Sequence, residues 1–186
     1  MSTANTTPET ESAPAEPADE TLGKDEKLAI QVNELIMAGG TVGDTLNFTA
    51  EDYEALYVVG HGYYQQAQYQ DAYRVFAYLV IHNHLELRFI TAFASSLQML
   101  QNWNEAIHYY SMVIAMDRAN PQPMLHVCEC LIGLERYTQA REGLSLVLAL
   151  SQRIGMADLA QKAQALMELV GDKEDVPFEA AEASIA

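Results

Sequence analysis

The chain has 186 residues, of which 49% are hydrophobic and 19% charged, and its formal net charge is −16. The hydrophobic fraction is enough to bury a core, which excludes a fully disordered chain, and the excess of acid argues against nucleic acids and anionic membrane surfaces as partners, because both reward Lys and Arg. No apolar run is long enough for a membrane-spanning helix, and the N-terminal residues lack the basic and apolar regions of a secretory signal. The two cysteines, Cys128 and Cys130, do not form a disulfide framework, so we expect a protein of a reducing cytosol that does not bind membranes.

Both ends of the chain have the composition of disordered segments. Residues 1–22 contain five acidic residues, no basic residue and three of the six prolines, and residues 171–186 are again acidic. Such segments cannot bury enough apolar surface to offset the conformational entropy that ordering would cost. We expect two disordered acidic tails and one folded domain over residues 23–170.

Apolar residues recur at three- and four-residue spacing through the domain, which predicts an all-α fold. The first helix is expected over residues 25–38, with an apolar face formed by Leu28, Val32, Leu35 and Ile36. Gly39-Gly40-Thr41 should end this helix, since glycine readily adopts the positive φ that closes helices. The sequence Thr49-Ala-Glu-Asp52 is typical of a capping box and predicts the start of the next helix.

A period of 34 residues runs through the centre of the domain. Four sets of similar residues are spaced by 34: Gly60, Ala94 and Cys128; Tyr69, Trp103 and Tyr137; Ala72, Ala106 and Ala140; Phe76, Tyr110 and Leu144. This is the length of a tetratricopeptide repeat, a pair of antiparallel helices. We predict repeats over 53–86, 87–120 and 121–154 and a final helix over 156–170, which together form a superhelix of three helix pairs with flanking N- and C-terminal helices. The alternative is an irregular helical bundle whose spacing is coincidental.

The first helix of each repeat should line the concave side of such a stack. The expected lining residues are Tyr57, His61, Tyr64, Arg88, Thr91, Ser95, Gln98, Leu125 and Glu129. Aromatic rings can hold apolar or proline side chains while polar groups bond to a peptide backbone, so this face suits an extended peptide. The alternative for Tyr57 and Tyr64 is that their rings only cover the core.

The repeats and the segment before them resemble the class II chaperones of bacterial type III secretion, over roughly residues 28–155. The resemblance rests on motifs in order along the chain: Gly39-Gly40-Thr41, Leu56-Tyr57, Tyr69-Gln-Asp-Ala72, His84-Leu-Glu-Leu-Arg88-Phe89, Trp103-Asn-Glu-Ala-Ile107 and Glu129-Cys-Leu131. It implies a non-enzymatic chaperone of the bacterial cytoplasm that binds one or two hydrophobic, pore-forming translocators before export. It also implies that client segments containing Pro and Leu bind in the concave groove, with Arg88 central among the second-repeat contacts. In addition, it implies that the client-free protein forms a homodimer through its N-terminal helical region. His61 stands where relatives tend to have an aromatic residue.

Other chemistry is poorly supported by the sequence. His82 and His84 lack a third metal ligand, Cys128 and Cys130 point to different sides of a helix, and no phosphate-binding loop or catalytic motif is present. We expect no metal, no cofactor and no enzymatic activity. The second hypothesis for function is an adaptor that grips the terminal carboxylate of another chaperone or a regulatory partner, but that role needs cations and amides where Tyr57 and His61 stand.

Overall fold

The structure, a computed structural model, describes residues 23–175, and every regular element in this range is an α-helix. The helices are α1 (Lys24–Met37), α2 (Val42–Thr45), α3 (Ala50–Gln65), α4 (Tyr69–His82), α5 (Leu87–Met99), α6 (Trp103–Met116), α7 (Gln122–Gly133), α8 (Tyr137–Ile154) and α9 (Ala157–Val170). The prediction of an all-α, tetratricopeptide-like fold is confirmed. The predicted tail over residues 1–22 lies outside the described residues.

Helix α1 belongs to a unit of its own, which ends at Gly39. It occupies the predicted position, and Gly39 follows it with a φ of +84°, as expected for a glycine that closes a helix. Of the four apolar residues proposed for self-association, Leu35 is half-buried, whereas the side chains of Leu28, Val32 and Ile36 lie outside the described part of the chain. Their role in dimerisation stays a prediction.

Two capping boxes open the second unit, which begins at Gly40. The predicted one starts α3: the Thr49 hydroxyl accepts from the backbone N–H of Asp52 at 3.2 Å, and the Asp52 carboxylate accepts from the Thr49 backbone N–H at 2.9 Å. The other starts α2, where Asp44 accepts from both the backbone N–H and the hydroxyl of Thr41. Helix α2 was not predicted, although Thr41-Val-Gly-Asp44 has the same spacing as the capping box that was.

Helices α3 to α8 form three consecutive pairs that match the three predicted repeats, and each helix packs on the next. The aromatic residues Tyr69, Trp103 and Tyr137 are the first residues of α4, α6 and α8. The turns inside the pairs share a feature that sequence reasoning missed. Each contains a non-glycine residue in the left-handed region, and these residues are again spaced by 34: Ala67 (φ 58°), Gln101 (φ 63°) and Glu135 (φ 57°).

Small residues let the helices of each pair approach closely. The three alanines at 72, 106 and 140 are fully buried, as are Ala94 and Cys128, and Gly60 is buried at the equivalent position in the first repeat. The large residues Phe76, Tyr110 and Leu144 are also buried, and they fill the space beside the small ones. The core has two clusters, one formed by α3–α6 together with Cys130 of α7 and one formed by α7–α9.

The two glycines of α3 should respond oppositely to the same substitution. A Cβ atom at Gly60 would lie 2.6 Å from Cε1 of the buried Phe76 ring, whereas a Cβ at Gly62 would meet no atom within 4 Å. Gly62→Ala should raise the free energy of unfolding by up to about 1 kcal/mol, because alanine is the better helix former. Gly60→Ala should lower it by about 1–2 kcal/mol, since overpacking outweighs that gain. Urea denaturation of both variants measures the difference, and equal effects would contradict the close approach of α3 and α4.

The segment after α9 begins with residues that hydrogen-bond to α8. The Asp175 carboxylate accepts from the backbone N–H of Thr138 at 2.7 Å, and Nη1 of Arg141 donates to the carbonyl oxygens of Gly171 (3.1 Å) and Lys173 (2.8 Å). Asp175 thus places a negative charge at the N-terminus of α8, where the helix dipole favours it. Residues 171–175, expected in the C-terminal tail, therefore pack on the domain, and residues 176–186 lie outside the described part.

Candidate functional site

A groove of about 390 Å³ lies between the first and second repeats. It contains six of the predicted concave-face residues, three from α3 and three from α5: Tyr57, His61, Tyr64, Arg88, Thr91 and Ser95. Six further residues from α4, α5, α6 and the segment after α6 complete it: Phe76, Leu87, Ala92, Val113, Asp117 and Asn120. Phe76 was predicted only as a core residue, and Asp117 and Asn120 were not predicted. We call this site the groove.

One wall of the groove is aromatic. The ring of Tyr57 lies 5.8 Å from that of Phe76 and 6.1 Å from the imidazole of His61, measured between ring centroids, and Tyr64 packs edge-on against Tyr69 at 5.4 Å. Both groove tyrosines also pack against the core, so covering the core and lining the groove are compatible roles. Burial raises the pKa of Tyr64, so its hydroxyl remains a hydrogen-bond donor at neutral pH.

Arg88 forms part of a wall and is neutralised by its neighbours. Its Nη1 lies 3.2 Å from Oε2 of Glu54, and its Nε lies 3.4 Å from Oε1 of Glu86. The guanidinium carbon lies 5.1 Å from the centroid of the Tyr57 ring, within the range of a cation–π contact. Arg88 therefore presents a planar surface continuous with the aromatic wall, and its charge is offset by two carboxylates.

Gln98 and Glu129 lie in a hydrogen-bond network that joins three helices. The Tyr110 hydroxyl of α6 donates to Oε1 of Gln98 at 2.8 Å and lies 3.0 Å from Oγ of Ser95. The side-chain amide of Gln98, on α5, donates to Oε2 of Glu129, on α7, at 2.8 Å. Nδ1 of His126, also on α7, lies 2.9 Å from the same Glu129 oxygen. The structure uses both Gln98 and Glu129 to hold the second and third repeats together, and their contact with a client stays a prediction.

The structure places Leu125 in the core instead of on the concave face. Its side chain is 2% exposed and packs in the cluster that contains Cys128 and Leu159. The physical reason is that α9 packs beside α7, so the α7 face that would otherwise be open is covered. Leu125 is therefore withdrawn as a binding residue, and the groove residues come from the first two repeats.

The network around Glu129 should make stability depend on pH. Burial raises the pKa of Glu129, but hydrogen bonds from His126 and Gln98 outweigh it, and the net pKa lies below its ordinary value. A carboxyl whose pKa is lower in the folded chain stabilises it above the unfolded-state pKa of about 4.3 and loses that effect as pH falls through the folded-state value. Glu129→Gln should therefore cost about 1 kcal/mol at pH 7, and its difference from the parent chain should shrink below about pH 4.

Urea denaturation at several pH values measures this effect. Glu105→Gln is the matched control, because Glu105 is an exposed glutamate outside the network. A Glu129→Gln deficit that stays constant from pH 7 to pH 3 would show that the charge of Glu129 does not contribute.

His82 and the two cysteines have structural surroundings. Nδ1 of His82 lies 2.7 Å from the backbone oxygen of Tyr78, and burial raises the pKa of both Cys128 and Cys130 to about 12. Between residues 23 and 175, no group of three or more His, Cys, Asp or Glu residues is placed to hold a metal ion. Over the same range, no helix has the length and apolar character needed to cross a membrane.

Comparison with known proteins identifies relatives of the same architecture. Residues 87–117 match the tetratricopeptide repeat family. The low calcium response locus protein H of Yersinia pestis is 26% identical over 151 residues, which are 81% of this chain and 90% of that protein. The alignment therefore covers nearly the full length of that protein.

Solved structures give the same result. The type III secretion translocator chaperone SycD of Yersinia enterocolitica superposes with a TM-score of 0.64 at 27% identity, over 70% of this chain and 98% of SycD. PcrH, solved in complex with the chaperone-binding region of PopD, gives a TM-score of 0.62 at 27% identity, over 66% of this chain and 93% of PcrH. SycD has also been solved with a peptide of the translocator YopD. By fold, repeat spacing and sequence, the chain is similar to the tetratricopeptide-repeat chaperones of type III secretion.

Proposed function

We propose that this protein is a cytoplasmic, non-enzymatic chaperone that binds one or two hydrophobic translocator proteins of a type III secretion system before their export. A translocator must later enter a membrane, so it contains long apolar stretches that would aggregate or insert too early if left exposed. The observation that carries the proposal is the groove, where aromatic and polar side chains of two successive repeats share one cavity. Its relatives SycD and PcrH bind translocator segments.

The groove suits an extended segment with apolar anchors. Tyr57 and Leu87 provide apolar surface, and Thr91 and Ser95 of α5 line the same groove. Both hydroxyls donate to backbone oxygens one turn earlier, but each oxygen atom can still accept a bond from a peptide N–H. Apolar side chains would thus fill the aromatic end while the client backbone bonds along α5.

The charges of the groove disfavour the adaptor hypothesis. Gripping a terminal carboxylate needs unpaired cations, whereas Arg88 is already paired with Glu54 and Glu86. The additional carboxylate of Asp117 would repel an anionic terminus. An acidic C-terminal peptide should therefore bind much more weakly than an apolar translocator segment.

Co-expression tests the proposed function directly. Each translocator encoded in the same secretion cluster is produced alone and together with this chain, and its soluble fraction is measured after lysis. We expect the translocator to remain soluble and to co-purify in the presence of this chain and to aggregate without it. Equal aggregation in both cases, with this chain itself folded, would reject the proposal.

A further inference from the structure

The end of the groove formed by α6 is negatively charged. Asp117 directly follows α6 and lines the groove together with Val113 and Asn120. Its Oδ1 accepts a hydrogen bond from the backbone N–H of Ala119 at 3.2 Å, and among residues 23–175 it has no ion-pair partner. The C-terminus of α6 adds to this charge, because the last carbonyl groups of a helix lack intrahelical donors and carry the negative end of the helix dipole.

The rest of the groove does not neutralise this charge. Arg88 is the cation that lines it, and that guanidinium is shared between Glu54 and Glu86. Asp117 and the two carboxylates paired with Arg88 are thus three negative charges for one guanidinium. A neutral apolar peptide would leave Asp117 partly desolvated without a partner, which costs free energy.

We propose that the client segment carries an Arg or Lys close to its apolar anchor, and that this cation binds Asp117 at the end of α6 while the apolar side chain packs on the Tyr57 wall. This inference rests on the proposed function and adds a charge requirement to it. A guanidinium suits the position best, because its several donors can bond the free carboxylate oxygen and the exposed carbonyl groups of the last helical turn together. Asp117 is then a specificity-determining residue that selects among apolar segments.

Fluorescence anisotropy tests the proposal with labelled 15-residue peptides that overlap along the translocators of the same secretion cluster. In the tightest-binding peptide each Arg is replaced in turn by citrulline, which keeps the shape without the charge, and each Lys by acetyl-lysine. One replacement should weaken binding about three- to tenfold, and added salt should reduce that difference.

Asp117→Asn is the matched protein variant. Asparagine keeps the side-chain carbonyl that accepts from Ala119 but removes the charge, so the turn after α6 should be retained. Asp117→Asn should bind the charged peptide and its citrulline or acetyl-lysine counterpart equally. The control Glu105→Gln removes one negative charge from α6 outside the groove and should keep the preference of the parent chain for the charged peptide.

The outcomes separate this inference from the function on which it rests. If peptides bind but charge replacement and Asp117→Asn both leave the affinity unchanged, the charge requirement is wrong and the chaperone function stands. If the tightest peptide contains no basic residue, the charge requirement is likewise overturned. If no translocator peptide binds at all, the proposed function fails with it.

Discussion

Replacing Phe76 by alanine should lower the free energy of unfolding by about 3–5 kcal/mol, the range measured for buried aromatic residues. The ring is 1% exposed, lies against Gly60 of α3 and contacts Tyr57 at 5.8 Å between centroids. Its removal leaves a cavity that the neighbouring helices cannot close, because Gly60 has no side chain to move into it. Since domains of this size are stable by about 5–15 kcal/mol, the variant should remain folded only marginally.

Thermal and urea denaturation measure this effect, and Val58→Ala is the control. Val58 lies on the same first repeat but is 60% exposed, so truncating it should change stability by less than about 0.5 kcal/mol. Equal effects of the two substitutions would mean that the first repeat is not packed around Phe76.

The double substitution Tyr57→Ala with Tyr64→Ala should weaken binding of a translocator segment by about 1–3 kcal/mol, or roughly five- to 150-fold. The two rings form much of the aromatic wall of the groove, and both are partly buried, so they present apolar area with little loss of side-chain entropy on binding. Isothermal titration with a segment that the parent chain binds measures the change.

The matched control for this pair is Tyr73→Ala, which removes a tyrosine from α4 outside the groove. Circular dichroism must show that all variants remain helical, because Tyr57 also packs on the core. Unchanged affinity of a folded double variant would remove both tyrosines from the binding site.

The 34-residue period was sufficient to predict the helix pairs. The close approach of the two helices in each pair requires a small residue at their contact, and Gly60, Ala94 and Cys128 show this requirement in the sequence. Tyr69, Trp103 and Tyr137 recur at the same period, but we expected them in the turn just before each second helix, whereas they are the first residues of α4, α6 and α8. The capping box at Thr49 could also be predicted from the sequence, because its hydrogen bonds join residues only three positions apart.

The groove was predicted less completely, because its composition depends on contacts between distant elements. Helical spacing placed Tyr57 and Ser95 on the open face correctly, but the same spacing placed Leu125 there, since nothing in α7 itself shows that α9 packs beside it. Gln98 and Glu129 were predicted as client-binding residues, and their hydrogen bonds to each other, to Tyr110 and to His126 follow from three-dimensional packing. Asp117 went unnoticed although it lies 34 residues after Asn83, because only the helical positions of the repeats were compared. Each of these two residues follows the second helix of its repeat and accepts a hydrogen bond from the backbone N–H two residues later.

Site-specific photo-crosslinking tests the central claim most directly, namely that a translocator segment lies in the groove. A benzoylphenylalanine is placed at Thr91, inside the groove, or at Arg74, exposed on α4 outside it, and each protein is irradiated with a co-expressed full-length translocator. The account predicts a covalent adduct from position 91 whose crosslinked peptide is an apolar translocator segment, and little or none from position 74. An adduct from position 74 with none from position 91 would contradict it.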